Sequence, residues 1–189
     1  MELNNDFEVS APIEKVWEVI NDVELIAPCL PGAQLEEVGD DEYKGFVKVK
    51  VGPITAQYKG VAKFVEKDDS NHRVVIRGEG RDTRGAGNAA ADITASLEST
   101  EEGTRVNVVT DLKITGKVAQ FGRGVMADIS KKLMGQFADN LSELVLSEGG
   151  ESQDSQSEDS EAIDLLSVAG SSIGKKLVPE WIRNRQKKT

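Results

Sequence analysis

The sequence predicts an α+β domain: a curved antiparallel sheet wrapped around one long C-terminal helix, with two short helices after the first strand. Three observations predict it. From Ala33 to Thr115 apolar residues recur at every second position. From Val118 to Val145 they recur at every fourth or third. From Ser147 to Glu161 they are absent. A sheet with one dry face and a helix with one dry stripe each bury their apolar side against the other.

Taken in order, Glu2 to Ser10 reads as a strand. In "APIEKVWEVI" Pro12 suits a helix start, and Ile13, Val16, Trp17 and Ile20 share one face. A second short helix around Asp22 to Ala27 ends at "PCLPG", where two prolines and a glycine force a turn. Val47, Val49 and Val51 then alternate with Lys48 and Lys50. Ala56, Tyr58, Ala62 and Phe64 alternate with Gln57, Lys59 and Lys63. Val106, Val108, Leu112 and Ile114 alternate with Asn107, Asp111 and Lys113. This is the pattern of antiparallel strands with one wet face. Phe121, Val125, Ile129, Leu133, Phe137, Leu141 and Leu144 form a single stripe along the final helix.

One strand has an unusually small apolar face: Ala89, Ala91, Ile93, Ala95 and Leu97. Small side chains opposite a long helix leave space, which is either filled by Phe121, Met126 and Phe137 or kept as an apolar ligand cavity. Gly116, Gly122, Gly124 and Gly135 lie at or in the final helix. Close approach of helix and sheet is the favoured reading of these glycines, and a helix start that shifts to admit a ligand is the alternative.

The chain carries a formal charge of −10, which argues against nucleic acid as a partner. Cys29 is the single cysteine, so no internal disulfide forms and a reducing compartment is expected. The first ten residues have no basic region followed by an apolar one, so no signal peptide is expected. No apolar run reaches the roughly 18 residues a membrane-spanning helix needs. Catalytic and metal motifs are missing: there is no C-x-x-C and no H-E-x-x-H. His72 follows a polar turn and reads as a surface or edge residue, and Cys29 as a small buried hydrophobe. "RDTRGAGNAAA" lacks G-K-[ST] and runs into a strand where a nucleotide loop needs a helix. An enzyme acting on a hydrophobic molecule would need a polar pair inside the cavity. The sequence offers none, so no catalytic residue, metal ligand or covalently bound cofactor is expected.

Composition divides the chain into a domain (1–146), an acidic linker expected to be disordered (147–161) and a basic amphipathic tail (162–189). The final fifteen residues, "KKLVPEWIRNRQKKT", hold six Lys or Arg against one Glu. Ile163, Leu166, Ala169, Ile173 and Leu177 fall at helical spacing, and Trp181 suits a headgroup level. Lys175, Lys176, Arg183, Arg185, Lys187 and Lys188 would add attraction to an anionic lipid surface. The tail is therefore read as a membrane anchor contributed by Ile163, Leu166, Ile173, Leu177, Trp181 and those cations. Docking on a partner protein, or on the domain's own acidic surface, stays open.

Four strings together resemble the carbon monoxide dehydrogenase G-subunit family of the START-like (SRPBCC), helix-grip superfamily. They are "APIEKVWEVINDVELIAPCLPG", "YKGFVKVKVGPITAQYKGVAKF", "GEGRDTRGAGNAAADITASL" and "GKVAQFGRGVMADISKKLMGQFADNL", the last being the most specific. The resemblance covers roughly residues 1–146. It implies a sheet gripping the final helix around an apolar cavity. It also implies association with a molybdenum hydroxylase-type carbon monoxide dehydrogenase at the cytoplasmic face of the cell membrane. In that setting an isoprenoid respiratory quinone, or another apolar lipid, is the expected ligand. Val49, Tyr58, Ala91, Ile93, Leu112, Phe121, Val125 and Ile129 are expected to line the cavity because they face inward on the periods above. The alternative function is a ligand-free recruitment or assembly factor for the same oxidoreductase.

Overall fold

A computed structural model describes residues 1–40 and 42–147, together with the backbone of Ile163–Asp164. Seven antiparallel strands follow one another in a curved sheet of order β1-β7-β6-β5-β4-β3-β2. They are β1 (Glu2–Val9), β2 (Ala33–Val38), β3 (Tyr43–Val51), β4 (Ile54–Asp68), β5 (Arg73–Asp82), β6 (Asn88–Thr100) and β7 (Gly103–Ile114). The short helices α1 (Ile13–Ile20) and α2 (Val23–Ile26) lie between β1 and β2, and α3 (Arg123–Ser147) follows β7. β1 falls within the strand expected at Glu2 to Ser10, and β2 to β7 fall within the period-two stretch from Ala33 to Thr115. From β3 to β7 each pairs with its predecessor in sequence, and β1 closes the order against β7.

Local chemistry sets the breaks. Pro12 precedes α1, whose Val16, Trp17, Val19 and Ile20 are all buried. The Asp22 carboxylate caps α2 by accepting from the Glu24 N–H at 2.9 Å. The indole N–H of Trp17 donates to Asp69 at 3.0 Å, tying α1 to the β4–β5 turn.

The final helix starts later than the apolar stripe predicts. Val118–Gln120 form a 3₁₀ turn, Phe121 is extended, and α3 begins at Arg123. Gly116, Gly122 and Gly124 weaken helix in this stretch, while buried Val118 anchors the turn. The face that α3 buries consequently runs through Met126, Ile129, Leu141 and Val145.

Two apolar clusters hold the layers together. The larger joins α1, Cys29, the lower halves of β5, β6 and β7, and Leu141 and Val145 of α3. The smaller joins Val51, Ala56, Val118, Met126 and Ile129 at the other end. Leu141 is fully buried at the centre of the larger cluster, whereas Leu146, just over one turn on, is 60% exposed. Leu141→Ala is expected to cost about 2–5 kcal/mol in urea denaturation, and Leu146→Ala less than about 0.5 kcal/mol.

Candidate functional site

Strand register arranges the inner-face residues in rows. One row runs Tyr43, Ala62, Gly78, Ala91, Leu112 from β3 to β7. The next runs Gly45, Gly60, Gly80, Ala89, Ile114. In β4, β5 and β6 both rows contain only Gly and Ala. Larger rows flank them, Phe64–Ile76–Ile93 on one side and Val47–Tyr58–Asp82 on the other. From strand geometry the band is roughly 10 Å across and ~7 Å along the strands.

Ala62, Ala89 and Ala91 belong to neither apolar cluster and are only half-buried. A Cβ added at Gly78 would meet no atom within 4 Å. The band thus leaves a hollow in the side-chain layer between the two clusters. The sequence pattern exposed only its alanine side. The G-x-G of Gly78 and Gly80, at strand period, was the available signal for the rest.

The glycines of the band divide by role. At Gly45 and Gly60 an added Cβ would overlap the carbonyl oxygens of Gln34 and Glu79. These positions let neighbouring backbones come together where the sheet coils. The glycines around α3 differ from the favoured expectation. Gly122, Gly124 and Gly135 have nothing within 4 Å of an added Cβ, so close helix–sheet packing does not explain them. Only Gly116 makes a close approach: it has φ +87°, and a Cβ there would overlap the Ala86 carbonyl.

The eight residues expected to line a cavity fall into distinct places. Val49, Tyr58, Leu112, Phe121 and Ile129 gather in the smaller cluster. Ile93 packs on the larger cluster, and Ala91 lies in the band between. Val125 is the exception: it is 37% exposed and joins neither cluster, and neighbouring Met126 takes the buried position. The later start of α3 is the reason the stripe's first members are displaced. Two surface clefts of about 380 and 430 Å³ lie elsewhere, beside Ser10–Glu14 and between β1 and Arg123, and touch none of the eight.

A polar pair does stand on the inner face. Tyr58 and Asp82 are cross-strand neighbours at the edge of the band. Asp82 is 5% exposed, and its Oδ1 accepts from the N–H groups of Arg84 (2.8 Å) and Ala86 (3.2 Å). Burial pushes its pKa up, but the backbone donors of Ala86, Arg84 and Gln57 outweigh that and hold it below the usual carboxylate range. The Tyr58 phenol is shifted upward, first by burial and then by the Asp82 charge. Asp82 therefore stays ionised and committed to the β5–β6 turn, and Tyr58 stays protonated. The pair supplies a hydrogen-bond donor next to the hollow; it is not arranged to move a proton at neutral pH.

The other reactive side chains lie apart. Cys29 is buried, its thiol pushed up to about 11 by desolvation, and its Sγ is 3.6 Å from the Leu25 carbonyl. His72 is half-buried in the β4–β5 turn, edge-on to Trp17 at 5.3 Å. Among the described residues no group of three or more His, Cys, Asp or Glu could hold a metal ion. Nor is any helix among them long and apolar enough to cross a membrane.

The family model of the carbon monoxide dehydrogenase G-subunit, CoxG, matches residues 6–146. The chain belongs to the CoxG family. Comparison with curated proteins returns no match. Among solved structures, a conserved protein from Geobacillus kaustophilus aligns with a TM-score of 0.69 at 20% identity, covering 78% of this chain and 96% of that one. A Thermus thermophilus protein aligns with a TM-score of 0.56 at 16% identity, over 79% and 100% of the two chains. A norcoclaurine synthase point mutant from Thalictrum flavum, bound to a transition-state analogue, aligns with a TM-score of 0.52 at 19% identity, over 79% and 96%. At these identities the likeness is one of fold, and it places this CoxG family member among the helix-grip proteins.

The tail residues Leu166, Ile173, Lys175, Lys176, Leu177, Trp181, Arg183, Arg185, Lys187 and Lys188 lie outside the described residues, as do linker residues 148–161, while Ser147 is the last residue of α3. Ile163 differs from the expected helix start: Ile163–Asp164 form a short strand, β8, parallel to β3.

The two kinds of inner-face glycine make opposite predictions. Gly78→Ala places its methyl in open space and is expected to raise stability by up to about 1 kcal/mol. Gly60→Ala, one row away, meets backbone and is expected to lower it, both read by urea denaturation. Asp82→Ala is expected to cost about 1–3 kcal/mol at neutral pH through two lost turn hydrogen bonds. Because the folded-state pKa of Asp82 is depressed, its contribution is present above the ordinary carboxylate value and lost as pH falls through the depressed one. The stability gap between wild type and Asp82→Ala therefore narrows in acid.

Proposed function

We propose that this protein carries an apolar ligand, an isoprenoid respiratory quinone, between the membrane and a molybdenum hydroxylase-type carbon monoxide dehydrogenase. The observation that carries this reading is the Gly and Ala band between two apolar clusters. Folded interiors are close-packed, so a floor stripped of side chains under a long helix calls for an occupant. The flanking residues are aliphatic and aromatic, which favours an apolar one. The band is wide enough for one ring and a run of isoprenoid tail. The protonated Tyr58 phenol offers a donor to a ring carbonyl, which an apolar lipid without a polar head would leave unused.

Membership of a family named for carbon monoxide dehydrogenase supports the partner. The protein supplies no redox group in this scheme; electrons travel on the bound quinone. The basic tail gives the reversible membrane contact that a carrier needs, through Trp181, the apolar positions Leu166, Ile173 and Leu177, and the terminal cations. The protein then works peripherally, at the cytoplasmic face of the cell membrane.

Organic extraction of the purified full chain, followed by mass spectrometry, tests the ligand. Quinone is expected in the extract, and Ala91→Leu or Gly78→Leu should weaken quinone binding at least about tenfold while leaving the thermal midpoint within a few degrees. Flotation with vesicles of phosphatidylglycerol, but not of phosphatidylcholine alone, is expected of the full chain. An empty extract with no binding on quinone titration would leave only the recruitment role.

A further inference from the structure

The β3–β4 hairpin is a basic stretch within the acidic domain. Residues 43–64 hold Lys44, Lys48, Lys50, Lys59 and Lys63 and no Asp or Glu, in a chain of charge −10. All five lie on the outer face, opposite the hollow. Lys44 and Lys59 pair with Glu37 and Glu36 of β2 at 3.0 and 2.7 Å. β2 extends along β3 only to the Ala33–Val47 pair. The Lys48 N–H still reaches the Gly32 carbonyl at 2.9 Å. Antiparallel alternation makes Lys50 the next residue whose N–H and C=O point away from β4. Beyond β2, therefore, β3 has a short edge that β2 does not cover, beside the smaller cluster.

That edge is where β8 adds, with Val49 opposite Ile163 and Lys50 opposite Asp164. The residues that connect α3 to β8 are the acidic run: Glu148, Glu151, Asp154, Glu158, Asp159 and Glu161, with no Lys or Arg. We infer that the β3 edge and its lysine face are the docking surface for the chain's own C-terminal segment. Ile163–Asp164 add as a strand, and acidic residues 148–161 are drawn over Lys44, Lys48, Lys50, Lys59 and Lys63.

Distance favours the charge component. Val49 shares the smaller cluster with Ile129 of α3. Ser147 lies about 27 Å further along the helix axis. A relaxed chain the length of this connection spans roughly 20–24 Å and a fully extended one about 53 Å. The connection reaches, but stretched beyond its relaxed span, and a two-residue ladder alone is a weak hold. Attraction between the acidic run and the lysines offsets that cost, and it weakens as salt shortens the screening length. The consequence is directional: the basic tail leaves the domain beside the smaller cluster, not beside the end of α3.

Engineered cysteines in the full chain test this. Lys50→Cys with Asp164→Cys faces two paired positions, and native Cys29 is buried and does not compete. Mild oxidation is expected to cross-link this pair at least about tenfold more than a Lys113→Cys, Asp164→Cys control on β7. The yield should fall several-fold in about 1 M NaCl, where screening acts within ~3 Å. A yield no higher than the control, or one that salt leaves unchanged, overturns the inference. Neither readout involves quinone or lipid, so this docking and the carrier function fail or stand separately.

Discussion

The structure depends on one constraint: a sheet has to coil tightly enough to face a helix on its concave side while leaving room there. Residues without side chains meet both demands. At Gly45 and Gly60 the backbones of neighbouring strands come too close for a Cβ. At Gly78, one row away, the same absence leaves empty space above the strand. The bend and the hollow thus come from adjacent rows of the same band, and neither exists without the other.

Stability has to come from the ends. The larger cluster brings α1 and the last turns of α3 against β5, β6 and β7, with Leu141 and Val145 almost fully buried. The smaller cluster brings the hairpin residue Val51 against Met126 and Ile129. Between them the inner-face side chains of the band are small and half-buried. A fold arranged this way keeps its close packing at the two ends and away from the Gly and Ala band.

Charge is sorted with the same economy. Asp82 faces inward but is bound to the β5–β6 turn by backbone donors, so its charge organises a loop whose Ala86 carbonyl in turn accepts from the Lys117 N–H at the approach to α3. The result beside the hollow is a neutral Tyr58 phenol instead of a charged group, compatible with an uncharged polar head on an apolar body. On the outer face the β3–β4 hairpin carries five lysines and no acid, whereas Arg77 of β5 and Arg105 of β7 are paired with Asp92 and Glu8.

The sequence by itself determined the elements and their faces. Period-two alternation in Val47 to Val51 and in Val106 to Ile114, and the four-residue steps from Ile129 to Leu141, need only local geometry to be read. It also carried the family, because residues 6–146 keep recognisable strings. Only the tertiary structure decided what those faces enclose. That Gly60 and Gly80 are neighbours, and Ala62, Gly78 and Ala91, is a matter of cross-strand register, set by pairing between segments distant in sequence. For the same reason Tyr58 met Asp82 only in three dimensions, and Val125 gave way to Met126 once glycine-rich residues 116–124 delayed the helix. Local periods say which way a side chain points; what stands opposite it depends on how the whole chain closes.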